Sequence, residues 1–80
     1  MKVILFTRNG MKKSNKLPSS KNLDVKHIQF ETSNLDDLLA IAKYRILEYP
    51  TSLLVDNRGR VLLKIKGNIT NQYIDKFLPN

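Results

Sequence analysis

The stretch "YPTSLLVDNRGRVLLKIKG", Tyr49–Gly67, decides how this chain folds. Two β-rich runs, Pro50–Val55 and Arg60–Lys66, flank Asp56-Asn57-Arg58-Gly59, four residues that favour a tight turn, so the stretch reads as a hairpin. Along the second run Val61, Leu63 and Ile65 point one way and Leu62, Lys64 and Lys66 the other. The lysines mark that run as an outer strand, where charge deters pairing with another chain. Pro50 is tolerated because it opens its strand, where no ladder hydrogen bond is lost. Gly67 ends the hairpin.

Working outward, "KVILFT" (Lys2–Thr7) is a continuous apolar run that suits a central strand buried on both faces, and Asn9-Gly10 breaks it. "DVKHIQFE" (Asp24–Glu31) is a strand polar enough to lie at an edge. Lys26, Ile28 and Phe30 share one of its faces, and Val25, His27 and Gln29 share the other. Between these strands a short or kinked helix is expected from Met11 to about Leu23, interrupted by Pro18, so the strands are expected to run parallel. "SNLDDLLAIAKYRIL" is the best helix. Ser33 or Asn34 can cap it, Asp36 and Asp37 occupy its first turn, and Lys43 and Arg45 its last. Its stripe is Leu35, Leu38, Leu39 and Ala42. Thr70 can cap a final helix carrying Tyr73, Ile74, Phe77 and Leu78. The order is β-α-β-α-β-β-α, an α/β chain with one mixed four-stranded sheet.

The bulk properties narrow the function classes. Eighty residues suit one domain spanning 1–80 with a modest core. Apolar content of 41% and charged content of 26% are those of a globular chain. There is no cysteine, which removes disulfides, thiol nucleophiles and Cys-based metal sites together. No apolar run approaches the roughly 20 residues of a membrane helix, and no signal peptide is evident; a cytoplasmic protein is expected. The sequon "NIT" at Asn68–Thr70 is then fortuitous. Fourteen Lys and Arg against seven acids leave +7, which favours acidic partners or simply solubility.

Three segments resemble thioredoxin-fold proteins of the small, glutaredoxin-like kind. "ILFTRNGMKKSNKLP" is similar to the family's strand, turn and helix around its Cys-x-x-Cys motif, with a Pro inside the helix. "KYRILEYPTSLLVDNRGRVLLKIKG" resembles its Tyr-x-Ile shortly before Pro-Thr, followed by a hairpin. Gly67 before a short helix matches the family's ending. The resemblance implies the sheet order 2-1-3-4, helices on both faces, and a cis peptide bond at Tyr49–Pro50 beside the active-site turn. Counted from Phe6, the family's two cysteines fall on Met11 and Ser14. Counted back from Pro18, they fall on Gly10 and Lys13. The first alignment is preferred because the strand-to-turn length is the harder constraint. Leu5 stands where family thioredoxins carry a buried Asp.

Disulfide exchange needs an attacking and a leaving thiolate, and this chain has neither. Ser14 would need a base in reach to act as a nucleophile, and the single histidine, His27, reads as an ordinary surface residue on an edge strand. No enzyme activity, cofactor or metal is therefore expected. The leading expectation is a non-catalytic binding module. Its groove is formed by Asn9, Gly10, Met11, Lys12, Lys13 and Ser14 on one side and Tyr49, Pro50 and Thr51 on the other, and it engages an extended, acidic peptide or a protein partner. Two alternatives stand beside it. Lys12 and Lys13, with Arg8 and Lys16, could form an anion site at a helix N-terminus for phosphate or nucleic acid. Alternatively, the chain is a redox relative whose cysteines are lost or were engineered away, with thiols supplied by another chain. Aromatic residues suited to stacking on nucleic acid are scarce, since Phe6, Phe30 and Phe77 read as core.

Overall fold

The computed structural model of the chain describes residues 1–10, 23–67, 69 and 72. The expected helices, from Met11 to about Leu23 and after Thr70, lie outside these residues except for Leu23 and Gln72. Four strands form one mixed sheet: β1 (Lys2–Thr7), β2 (Asp24–Gln29), β3 (Thr51–Val55) and β4 (Val61–Lys66), in the order β2-β1-β3-β4. That is the 2-1-3-4 order expected above. β1 runs parallel to β2, with Val3 opposite Val25 and Thr7 opposite Gln29, and antiparallel to β3, with Lys2 opposite Val55 and Phe6 opposite Thr51. Its residues Val3 to Thr7 are buried on both faces, as are all five of β3. The polar strands β2 and β4 take the two edges.

Side chains alternate between two apolar layers. Ile4, Phe6, Ile28, Leu53 and Val55 point to the face that carries α1 (Leu35–Lys43), where Ile46 completes the cluster and Ala40, Ile41, Tyr44 and Tyr49 pack against it. Val3, Leu54, Leu23 and Ile69 form the opposite layer with Met1, Leu62, Leu63 and Ile65. Leu62 was expected on the lysine face of its strand. A register shift between Leu54 and Val55 pairs Leu54 with Leu63 and Val55 with Val61. Leu62 is thereby left as the extra residue of a bulge and joins the layer of Leu63 and Ile65.

The turn between β3 and β4 is built by Asp56. Its Oδ1 accepts from the N–H groups of Arg58 and Arg60, both at 2.9 Å, and its backbone N–H donates to Arg60 O at 2.9 Å. Gly59 supplies the left-handed φ of +82° that the turn requires. These charge-assisted bonds hold the Asp56 carboxyl below its ordinary range, with the Arg60 amide the largest cause.

Three expectations are corrected here. β2 ends at Gln29 rather than Glu31, and Phe30–Thr32 form a turn of 3-10 helix, with Ser33 Oγ donating to Gln29 O at 2.9 Å. Phe30 thereby leaves the sheet and is 41% exposed, not core. α1 also stops at Lys43. The third correction concerns its orientation: Leu35, Leu38 and Leu39 are exposed, while Ala40, Ile41 and Tyr44 face the sheet. Asp37 lies toward β2, with its Oδ1 3.1 Å from Lys26 Nζ in an ion pair rather than an aligned hydrogen bond.

Both ends of α1 are closed by specific groups. At the start, Asn34 is the cap, its Oδ1 accepting the Asp37 N–H at 2.8 Å. At the end, Arg45 N–H reaches Ala42 O at 3.2 Å and Ile46 N–H reaches Ile41 O at 3.0 Å. That is the Schellman pattern, and the contact of Ile41 with Ile46 is its usual apolar companion. The left-handed position belongs to Arg45, with φ +52°, where glycine is the ordinary occupant. Lys64 of β4 adds a further closure, its Nζ lying 3.1 Å from Arg45 O and 3.4 Å from Tyr44 O. The lysine read as an edge guard therefore also neutralises the negative end of α1.

Two substitutions should move stability in opposite directions. Arg45→Gly relieves the left-handed residue and is expected to stabilise by about 0.5–1 kcal/mol after the added chain entropy of glycine. Asn34→Ala removes the cap and is expected to cost about 1 kcal/mol. Thermal unfolding followed by circular dichroism should show Tm rising by several degrees in the first and falling in the second. Equal or reversed shifts would contradict these end structures.

Candidate functional site

The pairing of Phe6 with Thr51 brings the exit of β1 and the approach to β3 to one end of the sheet. Arg8, Asn9 and Gly10 leave β1 as an exposed turn, and Gly10 takes φ +87°, which only glycine adopts readily. Tyr49 and Pro50 are half-buried beside it, and the peptide bond between them is cis. Pro50 O accepts the Gly67 N–H at 2.8 Å. Thr51 is buried, and its hydroxyl donates to Glu48 O at 2.6 Å, so this side chain braces the loop instead of facing a ligand. Of the residues expected in the site, Asn9, Gly10, Tyr49, Pro50 and Thr51 thus gather at one end of the sheet. Met11, Lys12, Lys13 and Ser14 lie outside the described residues.

Arg8 joins the two sides. Its guanidinium carbon lies 5.6 Å from the centroid of Phe30 and 5.9 Å from that of Tyr49. The two rings meet edge to face, with centroids 6.1 Å apart. Glu31 closes the group: its Oε1 accepts the Asn9 N–H at 2.6 Å and its Oε2 lies 3.4 Å from Arg8 Nε. Exposed cation–π contacts contribute about 0.5–1 kcal/mol and exposed ion pairs less, so the set is held by several weak contacts together. Desolvation pushes the Glu31 carboxyl up. The Asn9 amide, its own amide and the Arg8 side chain outweigh it and hold the carboxyl below its usual value of 4.5.

Phe30 and Glu31 were not expected here. The signal that points to them is the parallel register: it pairs Thr7 with Gln29, and continuing it sets Arg8 beside Phe30 and Asn9 beside Glu31. Arg8, counted above among the cations beside the alternative anion site, spreads over two rings and pairs with Glu31. His27 is also corrected. It is half-buried, and its Nε2 lies 2.6 Å from Oγ1 of buried Thr7, so it supports the last residue of β1.

A second hollow lies where α1 ends, a cleft of about 260 Å³ lined by Arg45, Leu47, Glu48, Thr51, Lys64 and Lys66. Two of its cations are committed, Lys64 to the helix carbonyls and Lys66 to Glu48 at 3.6 Å. Among the described residues, no three His, Asp or Glu side chains converge as metal ligands, and no helix is long and apolar enough to cross a membrane. No family model, no curated protein and no solved structure matches the chain.

The lowered Glu31 carboxyl makes acid stability depend on this site. Above its unfolded-state pKa, Glu31 is ionised in both states and its folded contacts contribute in full. As pH falls through that value toward the lower folded value, the unfolded chain takes up the proton first and the contribution is lost. Glu31→Gln should therefore flatten the acid limb of stability against pH, measured by urea unfolding at a series of pH values. An unchanged limb would contradict the Asn9–Glu31–Arg8 linkage.

Proposed function

We propose that the chain is a non-catalytic, thioredoxin-like binding module that takes an extended, acidic segment of a peptide or protein partner beside Tyr49–Pro50. The observation that carries this reading is the Arg8 guanidinium resting on both Phe30 and Tyr49 at the end of the sheet. Two partly accessible rings and a cation at their faces suit an aromatic or acidic side chain, and the exposed turn at Asn9–Gly10 leaves the approach open. The net charge of +7 favours acidic over basic ligands. The absence of cysteine in the sequence supports binding over intrinsic disulfide chemistry. The thioredoxin-like assignment rests on the sequence resemblance and agrees with the sheet order and the cis bond before Pro50.

A second reading, a binder of phosphate or nucleic acid through Lys12, Lys13 and the basic surface, draws on the net charge and on the cations of the cleft at Arg45, Lys64 and Lys66. The commitment of Lys64 and Lys66 to protein groups favours the peptide reading. The two differ in their salt dependence. An array of acidic and neutral extended peptides should yield acidic ligands whose affinity drops about tenfold or more in Arg8→Ala/Tyr49→Ala. Unchanged binding by that variant would refute the site. Oligonucleotide affinity that falls steeply with salt and disappears in Lys12→Glu/Lys13→Glu would establish the second reading instead.

A further inference from the structure

Asn9-Gly10 is the single Asn-Gly pair of the chain. A peptide nitrogen that follows asparagine is a latent nucleophile toward the side-chain amide of that asparagine. It reacts where its N–H is free of hydrogen bonds and where no Cβ crowds its approach. The turn must also be open to solvent, which supplies the base and the water.

All of these conditions meet at Asn9-Gly10. Both residues are exposed at the exit of β1. Gly10 has no side chain, and no other described residue comes within 4 Å of where its Cβ would stand. Glu31 Oε1 accepts the N–H of Asn9 at 2.6 Å, whereas the N–H of Gly10 has no hydrogen-bond partner among the described residues. The turn is thus anchored just before the reacting pair and free at the attacking nitrogen. The other described asparagines lack this combination. Arg58, which follows Asn57, donates its N–H to Asp56 Oδ1 at 2.9 Å, and Asn57 Oδ1 accepts from the Met1 amine at 2.8 Å. Asn34 precedes a branched residue, Leu35, and its side chain is held by the Asp37 N–H at 2.8 Å.

We propose that Asn9 is a self-modification site, converted to aspartate and isoaspartate by attack of the Gly10 nitrogen. Solvent base removes the Gly10 N–H proton, and the nitrogen forms a bond to Asn9 Cγ. The bond from Cγ to Nδ2 breaks, and ammonia leaves. Water then opens the cyclic imide. Hydrolysis at Cγ gives aspartate, and hydrolysis at the former backbone carbonyl gives isoaspartate, with the chain rerouted through the side chain. Either product adds one negative charge. Arg8 and Glu31 balance each other in the unmodified cluster, so a carboxylate at position 9 leaves the described group net negative. Its effect on ligands rests on the peptide binding proposed above: conversion weakens the hold on acidic segments.

Ageing tests the site. The purified chain and a synthetic peptide of residues 7–12 are incubated side by side at neutral to alkaline pH and followed by peptide mass mapping, with isoaspartate detected by enzymatic methylation. Asn9 in the folded chain should convert at a rate within a few-fold of that in the peptide, and faster as pH rises, while Asn34 and Asn57 stay intact. Asn9→Gln should abolish the acidic product resolved by isoelectric focusing. A folded chain that keeps Asn9 intact while the peptide converts would overturn the proposal, as would conversion at Asn34 or Asn57 as fast as at Asn9. Aged wild-type chain should also bind acidic peptides several-fold more weakly than fresh chain, and aged Asn9→Gln should match fresh Asn9→Gln. Conversion without that loss, in a chain whose binding needs Arg8 and Tyr49, would refute the charge effect. The mass readout needs no ligand, so failure of the modification and failure of peptide binding are told apart.

Discussion

β1 is hydrogen-bonded along both edges and buried on both faces, and the rest of the molecule is arranged around it. Its parallel register with β2 and antiparallel register with β3 set which residues meet at each end of the sheet. Phe6, without exposed surface, is shared between the sheet and the α1 layer, while Val3 lies in the opposite layer. An isolated strand of this composition would not be soluble. It is accommodated because polar strands take both edges and apolar layers cover both faces.

The candidate site follows from that pairing. Because Phe6 lies opposite Thr51 and Thr7 beside Gln29, three chain segments leave the sheet at the same end and bring Arg8, Phe30, Glu31 and Tyr49 together. The 3-10 turn at Phe30–Thr32 is the small departure that matters most. Continued as a strand, Phe30 would keep to the α1 layer. Released, its ring meets Tyr49 edge to face beneath a guanidinium. Thr51 and His27 use their polar atoms within the protein, on Glu48 O and Thr7 Oγ1, and so stiffen the frame beneath the cluster.

Helix α1 depends on the frame for its orientation. Its own residues supply apolar side chains nearly all the way round, and its ends decide which of them turn inward. The Asn34 cap, the Asp37–Lys26 ion pair, the left-handed Arg45 with buried Ile46, and Lys64 at the last carbonyls all tie it to the sheet. With Ile46 inserted between the helix and the sheet, Ile41 and Tyr44 must follow it inward. The leucines are then left outside.

The sequence by itself determined the strands, the turn at Asp56–Gly59, the edge positions of the polar strands and the existence of α1, because period-two alternation, turn residues and caps are local properties. The strand order 2-1-3-4, which sets the end of β1 beside the start of β3, was expected as well. Tertiary structure alone decided which face of α1 is buried, since a helix apolar on two sides has no preferred face until neighbours anchor its ends. It also decided that Phe30 leaves the core, that Leu62 changes sides at a bulge, and that Arg8 rests on rings. Each of these depends on the register between strands distant in sequence, and register is fixed only when both faces of the sheet are packed.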